Sequence, residues 1–165
     1  MVDSGGGMKS AAYIETTIVG YLTSRLSRDL VMAGHQQLTQ EWWDTRRQQF
    51  DLFVSELVVQ EAGAGDASEA GKRLAAIGDI PQLELNEHCR RLAHELLERH
   101  AVPREAAEDA LHIAVSAIHG MDYLLTWNCA HIANAQRRDA IEEVCRNCGY
   151  EPPVICTPEE LMGEP

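Results

Sequence analysis

One stretch limits what this chain can fold into more than any other: residues 109–134, DALHIAVSAIHGMDYLLTWNCAHIAN. From 110 to 118 it is apolar almost all round, with only His112 and Ser116 interrupting, so it reads as a helix buried on most sides. Gly120 stops it, and 122–126 (DYLLT) reads as a short hydrophobic strand. A buried helix feeding a hydrophobic strand is half of a βαβ unit. That excludes a surface hairpin and calls for a parallel sheet covered on both faces. The unit has polar ends. Asp109 sits at the helix start, and Thr126, Asn128, His131 and Asn134 follow the strand, which points to a site at the rim of a sheet.

The rest of the chain supplies the other units. Residues 11–15 (AAYIE) read as a first strand ending on a carboxylate, with Thr16 and Thr17 capping the helix that follows. Residues 25–49 contain no Pro and carry Leu26, Leu30, Val31, Leu38, Trp42 and Trp43, as expected of one or two amphipathic helices. FDLFV (50–54) alternates as a second strand, and Ser55 caps a helix over 56–62. A helix over 68–77, a weak strand over 83–85 and an Asn86-capped helix over 87–99 follow. Pro103 opens the helix 104–119, and a further helix covers 137–148. Residues 153–156 give a fifth strand, and 157–160 start a last short helix. Alternation of this kind specifies an α/β domain: a three-layer, Rossmann-like arrangement with a mostly parallel five-stranded sheet flanked by helices. Residues 1–8 read as a disordered leader or tag, and 9–165 as a single domain.

Charge narrows the function. Lys plus Arg number 14 against 26 Asp plus Glu, a formal charge of −12, which repels nucleic acid at long range. Binding it requires a local basic patch, a cation or a basic partner. No apolar run approaches the ~20 residues of a bilayer span. Five cysteines, odd in number and scattered, fit reduced thiols in the cytoplasm.

Ligands of open parallel sheets bind beyond the carboxyl ends of the strands. Glu15 ends strand one, Ser55 ends strand two with Glu61 in the helix after it, and Asn128 follows strand four. Asp109 reaches the same edge if its helix starts there. Converging carboxylates raise one another's pKa, and a divalent cation relieves the repulsion. Mg²⁺ and Mn²⁺ prefer such oxygen ligands and accept substrate phosphate into the shell. The chemistry expected is metal-assisted phosphodiester hydrolysis.

In order and spacing, YIETTIVGYL, FVSELVVQEA, EDALHIAVSAIHGMDYLLTWN and PPVICTPEEL resemble the PIN-domain nucleases, and within them the VapC-type toxins of type II toxin–antitoxin pairs. The resemblance runs from Tyr13 to Leu161. It implies a Mg²⁺- or Mn²⁺-dependent endoribonuclease with Glu15, Glu61 and Asp109 at the metal-binding positions. Thr126 and Asn128 fall at the family's threonine and final acidic position, so Asn128 joins the catalytic set. Thr16, Ser55, Thr126, His131 and Asn134 are the supporting or substrate residues. It also implies an RNA substrate, a small antitoxin that places a basic side chain among the carboxylates, and a homodimer. Two positions depart from the family pattern, Glu15 and Asn128 both standing where Asp is usual. The longer side chain shifts a carboxylate by roughly 1.5 Å, and the amide brings no charge.

Plainer explanations compete. Asp109, with Glu105 and Glu108, suits the first turn of a helix through the dipole, and Glu61, like Glu56, suits a solvated face. His112 and His119 lack the Cys/His pairing of a zinc site and are expected in packing or hydrogen bonds. Cys145 and Cys148 read as ordinary thiols. Trp42 and Trp43 suit packing better than base stacking. Arg46, Arg47, Arg137 and Arg138 are candidates for phosphate contact, or are solvated helix ends. The competing function is a non-catalytic PIN-like module that binds RNA or protein through a degenerate site. Nucleotide binding by a Rossmann-like sheet is a poor third reading, since no G-x-G-x-x-G or P-loop follows a strand.

Overall fold

The computed structural model describes residues 7–164. Five strands, β1 (Ser10–Ile14), β2 (Phe50–Ser55), β3 (Gln82–Leu83), β4 (Tyr123–Leu125) and β5 (Val154–Cys156), form one all-parallel sheet in the order β3-β2-β1-β4-β5. Among the described residues seven α-helices flank it: α1 (Thr16–Thr23), α2 (Leu30–Thr45), α3 (Glu56–Ala62), α4 (Ala67–Ile77), α5 (Glu87–Glu98), α6 (Ala107–Ile118) and α7 (Ala135–Asn147). The α/β class and the parallel five-stranded sheet expected from the sequence are therefore what the chain adopts.

The strand order divides the helices. From β1 the chain steps outward to β2 and β3, then returns across to β4 and continues to β5. Right-handed crossovers place α1–α4 on one face and α5–α7 on the other. Packing agrees: α1 rests on α2, α3 and α4, while α5 rests on α6 and α7. The connections leaving β1 and β4 diverge, so a crevice opens between the carboxyl ends of these two neighbours, where open α/β sheets bind ligands. Ile14 pairs with Leu125 at that end.

The core is built as the apolar pattern of α6 requires. Ala110, Ile113, Ala114 and Val115 are fully buried, together with Tyr13 and Ile14 of β1 and Leu124 and Leu125 of β4. Trp42 is wholly buried as well and packs on Phe50 at 5.7 Å, so it serves the core of its own chain. The exposed apolar residues of this region lie at its other end: Leu26, Leu30 and Val31 are 73%, 88% and 68% exposed.

Several element boundaries differ from expectation, each for a local reason. Residues 25–29 are not helical, because the Asp29 side chain caps α2 by accepting from Met32 N at 2.9 Å. Pro103 opens a turn closed by Ala106 N to Pro103 O at 2.9 Å, and α6 starts only at Ala107. Asp66, accepting from Glu69 N, starts α4 one residue early. The third strand shrinks to Gln82–Leu83, and the last helix is a single 3-10 turn, Glu159–Leu161. Residues 1–6 of the expected leader lie outside the described residues, and Met8 is fully exposed. No helix among the described residues is long and apolar enough to cross a membrane.

Candidate functional site

β1 ends at Ile14, and Glu15 turns its side chain back over the start of α1. Glu15 itself is the cap, rather than Thr16 or Thr17: its Oε2 accepts from Thr17 N at 2.9 Å. The same oxygen accepts the Thr17 hydroxyl and, at 2.9 Å, the hydroxyl of Thr126. Glu15 is 4% exposed, and a buried carboxylate requires this density of donors. Thr126, fully buried at the end of β4, also accepts from Asn128 N at 2.9 Å, while Thr17 Oγ1 accepts from Trp127 N at 2.9 Å. The crevice between β1 and β4 is thus closed by a carboxylate and two threonines.

Glu61 is the penultimate residue of α3. Its Oε1 accepts from Thr16 Oγ1 at 2.6 Å and bonds His112 Nε2, also at 2.6 Å. His112 belongs to α6, so this bond joins helices from opposite faces around the edge of the sheet. Behind it, His112 Nδ1 meets the Tyr13 hydroxyl at 2.6 Å, and that hydroxyl meets Ser55 Oγ at 2.8 Å. Burial would raise the Glu61 carboxyl, but hydrogen bonds from His112 and Thr16 outweigh it and hold it below its usual value. Glu108, exposed in the first turn of α6, is shifted the other way. It shares a hydrogen bond with Glu61 and is repelled by that charge, so it holds its proton more tightly.

Asp109 sits beside Glu108 and is half-buried. Its Oδ2 bonds His131 Nδ1 at 2.8 Å. His131 is placed by its own backbone, which donates to Asn128 Oδ1 at 3.1 Å. The residues expected at the site therefore fall into three linked groups. Glu15 joins Thr126 and Thr17; Glu61 joins Thr16, His112, Tyr13 and Ser55; and Asp109 joins His131 and Asn128. Asn134 stays outside them. It caps α7 through Gln136 N at 2.9 Å and donates to Cys129 O and Ala130 O. Asn128 shapes the loop with its carbonyl oxygen.

Donors converge on one oxygen of each carboxylate: Oε2 of Glu15, Oε1 of Glu61 and Oδ2 of Asp109. The second oxygen of Glu15 and of Asp109 receives no N–H or hydroxyl donor among the described residues, while Glu61 also meets the Glu108 carboxyl. Hard carboxylate oxygens held this way suit Mg²⁺ or Mn²⁺. Among the described residues, however, no three His, Cys, Asp or Glu side chains form a group able to hold a metal ion. The expected convergence of three carboxylates into one cage is not what the chain builds.

Four participants escaped the sequence reading as site residues: Tyr13, Thr17, Glu108 and His112. His112 carried a signal, since it is one of two polar residues on an otherwise apolar helix and stands one turn from Asp109. The arginines read as phosphate contacts are otherwise engaged. Arg46 donates to Glu164 O, Arg138 to Ile155 O and Arg137 to Ala101 O, while Arg47 lies 4.3 Å over the Trp43 ring. Beside the rim, His35 stacks on Trp127 at 4.0 Å with 11° between the rings. The cysteines are free, and burial pushes the Cys145 and Cys156 thiols up to about 12. No protein-family model matches the chain, and no curated protein matches it.

Proposed function

We propose that this chain is a PIN-type, VapC-like endoribonuclease that hydrolyses RNA phosphodiester bonds at its acidic sheet edge with Mg²⁺ or Mn²⁺. One observation carries the reading. Three carboxylates from three separate elements, Glu15, Glu61 and Asp109, stand around the carboxyl edge of a parallel sheet, each anchored through one oxygen. Glu15 is buried, where a carboxylate costs stability unless it is paired, while Glu61 and Asp109 keep part of their side chains open to solvent.

Glu61 and Asp109 would hold the cation, with Glu15 completing its electrostatic environment from the crevice. Bound there, the ion supplies an activated water and stabilises charge on the leaving oxygen. The protein's share is orientation. Thr17 and Thr126 lock Glu15, Thr16 and His112 lock Glu61, and His131 locks Asp109, so little reorganisation is left when substrate arrives. His131, whose side chain is 34% exposed, would be open to a substrate phosphate. A small antitoxin with a basic side chain would neutralise the same edge. Self-association would use the apolar start of α2 and the segment before it, where Leu30, Val31 and Leu26 are exposed.

Specific observations favour a second reading, a non-catalytic RNA- or protein-binding module. Glu15 gives its Oε2 to its own helix and to Thr126, and Asn128 gives its carbonyl oxygen to His131 N. Cleavage of a mixed RNA pool with Mg²⁺ or Mn²⁺ decides between them. Wild type is expected to cleave, with turnover lost in Asp109→Asn and in chelator. RNA binding without turnover, with either metal, would establish the module instead.

A further inference from the structure

The line Ser55–Tyr13–His112–Glu61 is more elaborate than packing requires. Ser55 and Tyr13 are fully buried and His112 is 1% exposed. Three polar side chains in a core cost stability unless each proton finds an acceptor. The contacts define how that happens. Ser55 Oγ accepts from Val58 N at 3.3 Å, which leaves its own proton for the Tyr13 oxygen. The Tyr13 proton then goes to His112 Nδ1, and the remaining ring proton, on Nε2, goes to Glu61 Oε1. With Ser55 as the donor at its end, every donor points along the line toward the carboxylate. The opposite order, with Nδ1–H donating to Tyr13 and Tyr13 to Ser55, leaves the Ser55 proton without an acceptor among the described contacts.

We propose that His112 is a positioning residue for Glu61. Backed by Tyr13 and Ser55, it is held as the Nε2–H tautomer, which pins Glu61 Oε1 together with Thr16 and so fixes the orientation of the carboxylate at the candidate cation site. The inference rests on the metal reading given above. It adds that the core of the domain, through β1, β2 and α6, sets the orientation of a ligand on α3. Orientation of a metal ligand by an outer hydrogen bond is worth about 10–100-fold in affinity.

The test compares wild type, His112→Gln and His112→Leu, all full-length. Glutamine places an amide donor near the position of Nε2, whereas leucine fills the volume and donates nothing. Nitrogen-15 NMR of wild type is expected to show His112 as the Nε2–H tautomer at neutral pH. Calorimetric Mn²⁺ titration is expected to weaken at least tenfold in His112→Leu and to recover in His112→Gln, with circular dichroism confirming that both fold. An Nδ1–H tautomer overturns the proposal, and so does a folded His112→Leu that binds Mn²⁺ as tightly as wild type. If His112→Leu does not fold, a His112→Gln protein that has lost Mn²⁺ affinity overturns it. Wild type that binds no Mn²⁺ sinks the metal reading, and the directed line is then judged on the tautomer alone.

Discussion

Replacing Thr126 by valine tests the closure of the β1–β4 crevice. The hydroxyl has two tasks in a fully buried position: it donates to Glu15 Oε2 at 2.9 Å and accepts from Asn128 N at 2.9 Å. A hydrogen bond to a charged group contributes ~1.5–3 kcal/mol, and a stranded backbone N–H costs about 1 kcal/mol or more. Glu15 keeps both of its donors from Thr17, which prevents the larger penalty of an unpaired buried charge. Thr126→Val should therefore lose about 3 kcal/mol. In a domain of this size that corresponds to roughly 6–12 °C in Tm. Urea denaturation monitored by tryptophan fluorescence measures it, with Thr126→Ser as the control that keeps the hydroxyl and stays within about 1 kcal/mol. A valine variant within ~0.5 kcal/mol of wild type, the ordinary range of surface changes, would show that the threonine does not hold the crevice and that the account of Glu15 is mistaken.

Trp42 is fully buried, and its indole Nε1 has no hydrogen-bond partner among the described residues. Trp42→Phe removes that unsatisfied donor, which offsets the lost ring area, so it should stay within about 1 kcal/mol of wild type, whereas Trp42→Ala should lose ~3–5 kcal/mol; equilibrium denaturation of both decides. Glu61 is held below its usual value of 4.5, so its contribution to stability is full above pH 4.5 and is lost as pH falls through the lower folded-state value. The stability difference between wild type and Glu61→Gln should accordingly shrink below pH 4.5. Glu108, shifted upward, acts with the opposite sign: its contribution is full below pH 4.5 and fades as pH rises. Denaturation of Glu61→Gln and Glu108→Gln across pH 3–8, a range bracketing ordinary carboxyl titration, reads both.

The residues that were legible in the sequence are those whose job is local. The apolar run of α6, the Gly120 stop, and the caps Ser55 and Asn86 depend on neighbours three or four residues away, and periodicity and side-chain type carry that information. The same logic located the carboxyl edge, since alternation of strands and helices implies a parallel sheet with its site beyond the strand ends. Glu15 and Asp109 could be singled out because each is a carboxylate next to an element that must be buried, whereas Glu61 stands apart from Glu56 only through its family-like spacing from Ser55.

What each of those carboxylates touches was decided by tertiary structure alone. Thr126 reaches Glu15 across 111 positions, Tyr13 reaches His112 across 99, and His112 reaches Glu61 across 51. No periodicity encodes such pairs, because they arise from strand order, which sets β1 beside both β2 and β4, and from the helices that cross the sheet edge. Composition and spacing therefore determined the α/β domain and the acidic rim on the residues themselves. The three-dimensional packing decided that this rim is three separately anchored carboxylates rather than a closed cage. It also turned an isolated histidine on an apolar helix into the group that orients Glu61, since only in the folded chain do Ser55, Tyr13 and His112 lie in line with that carboxylate.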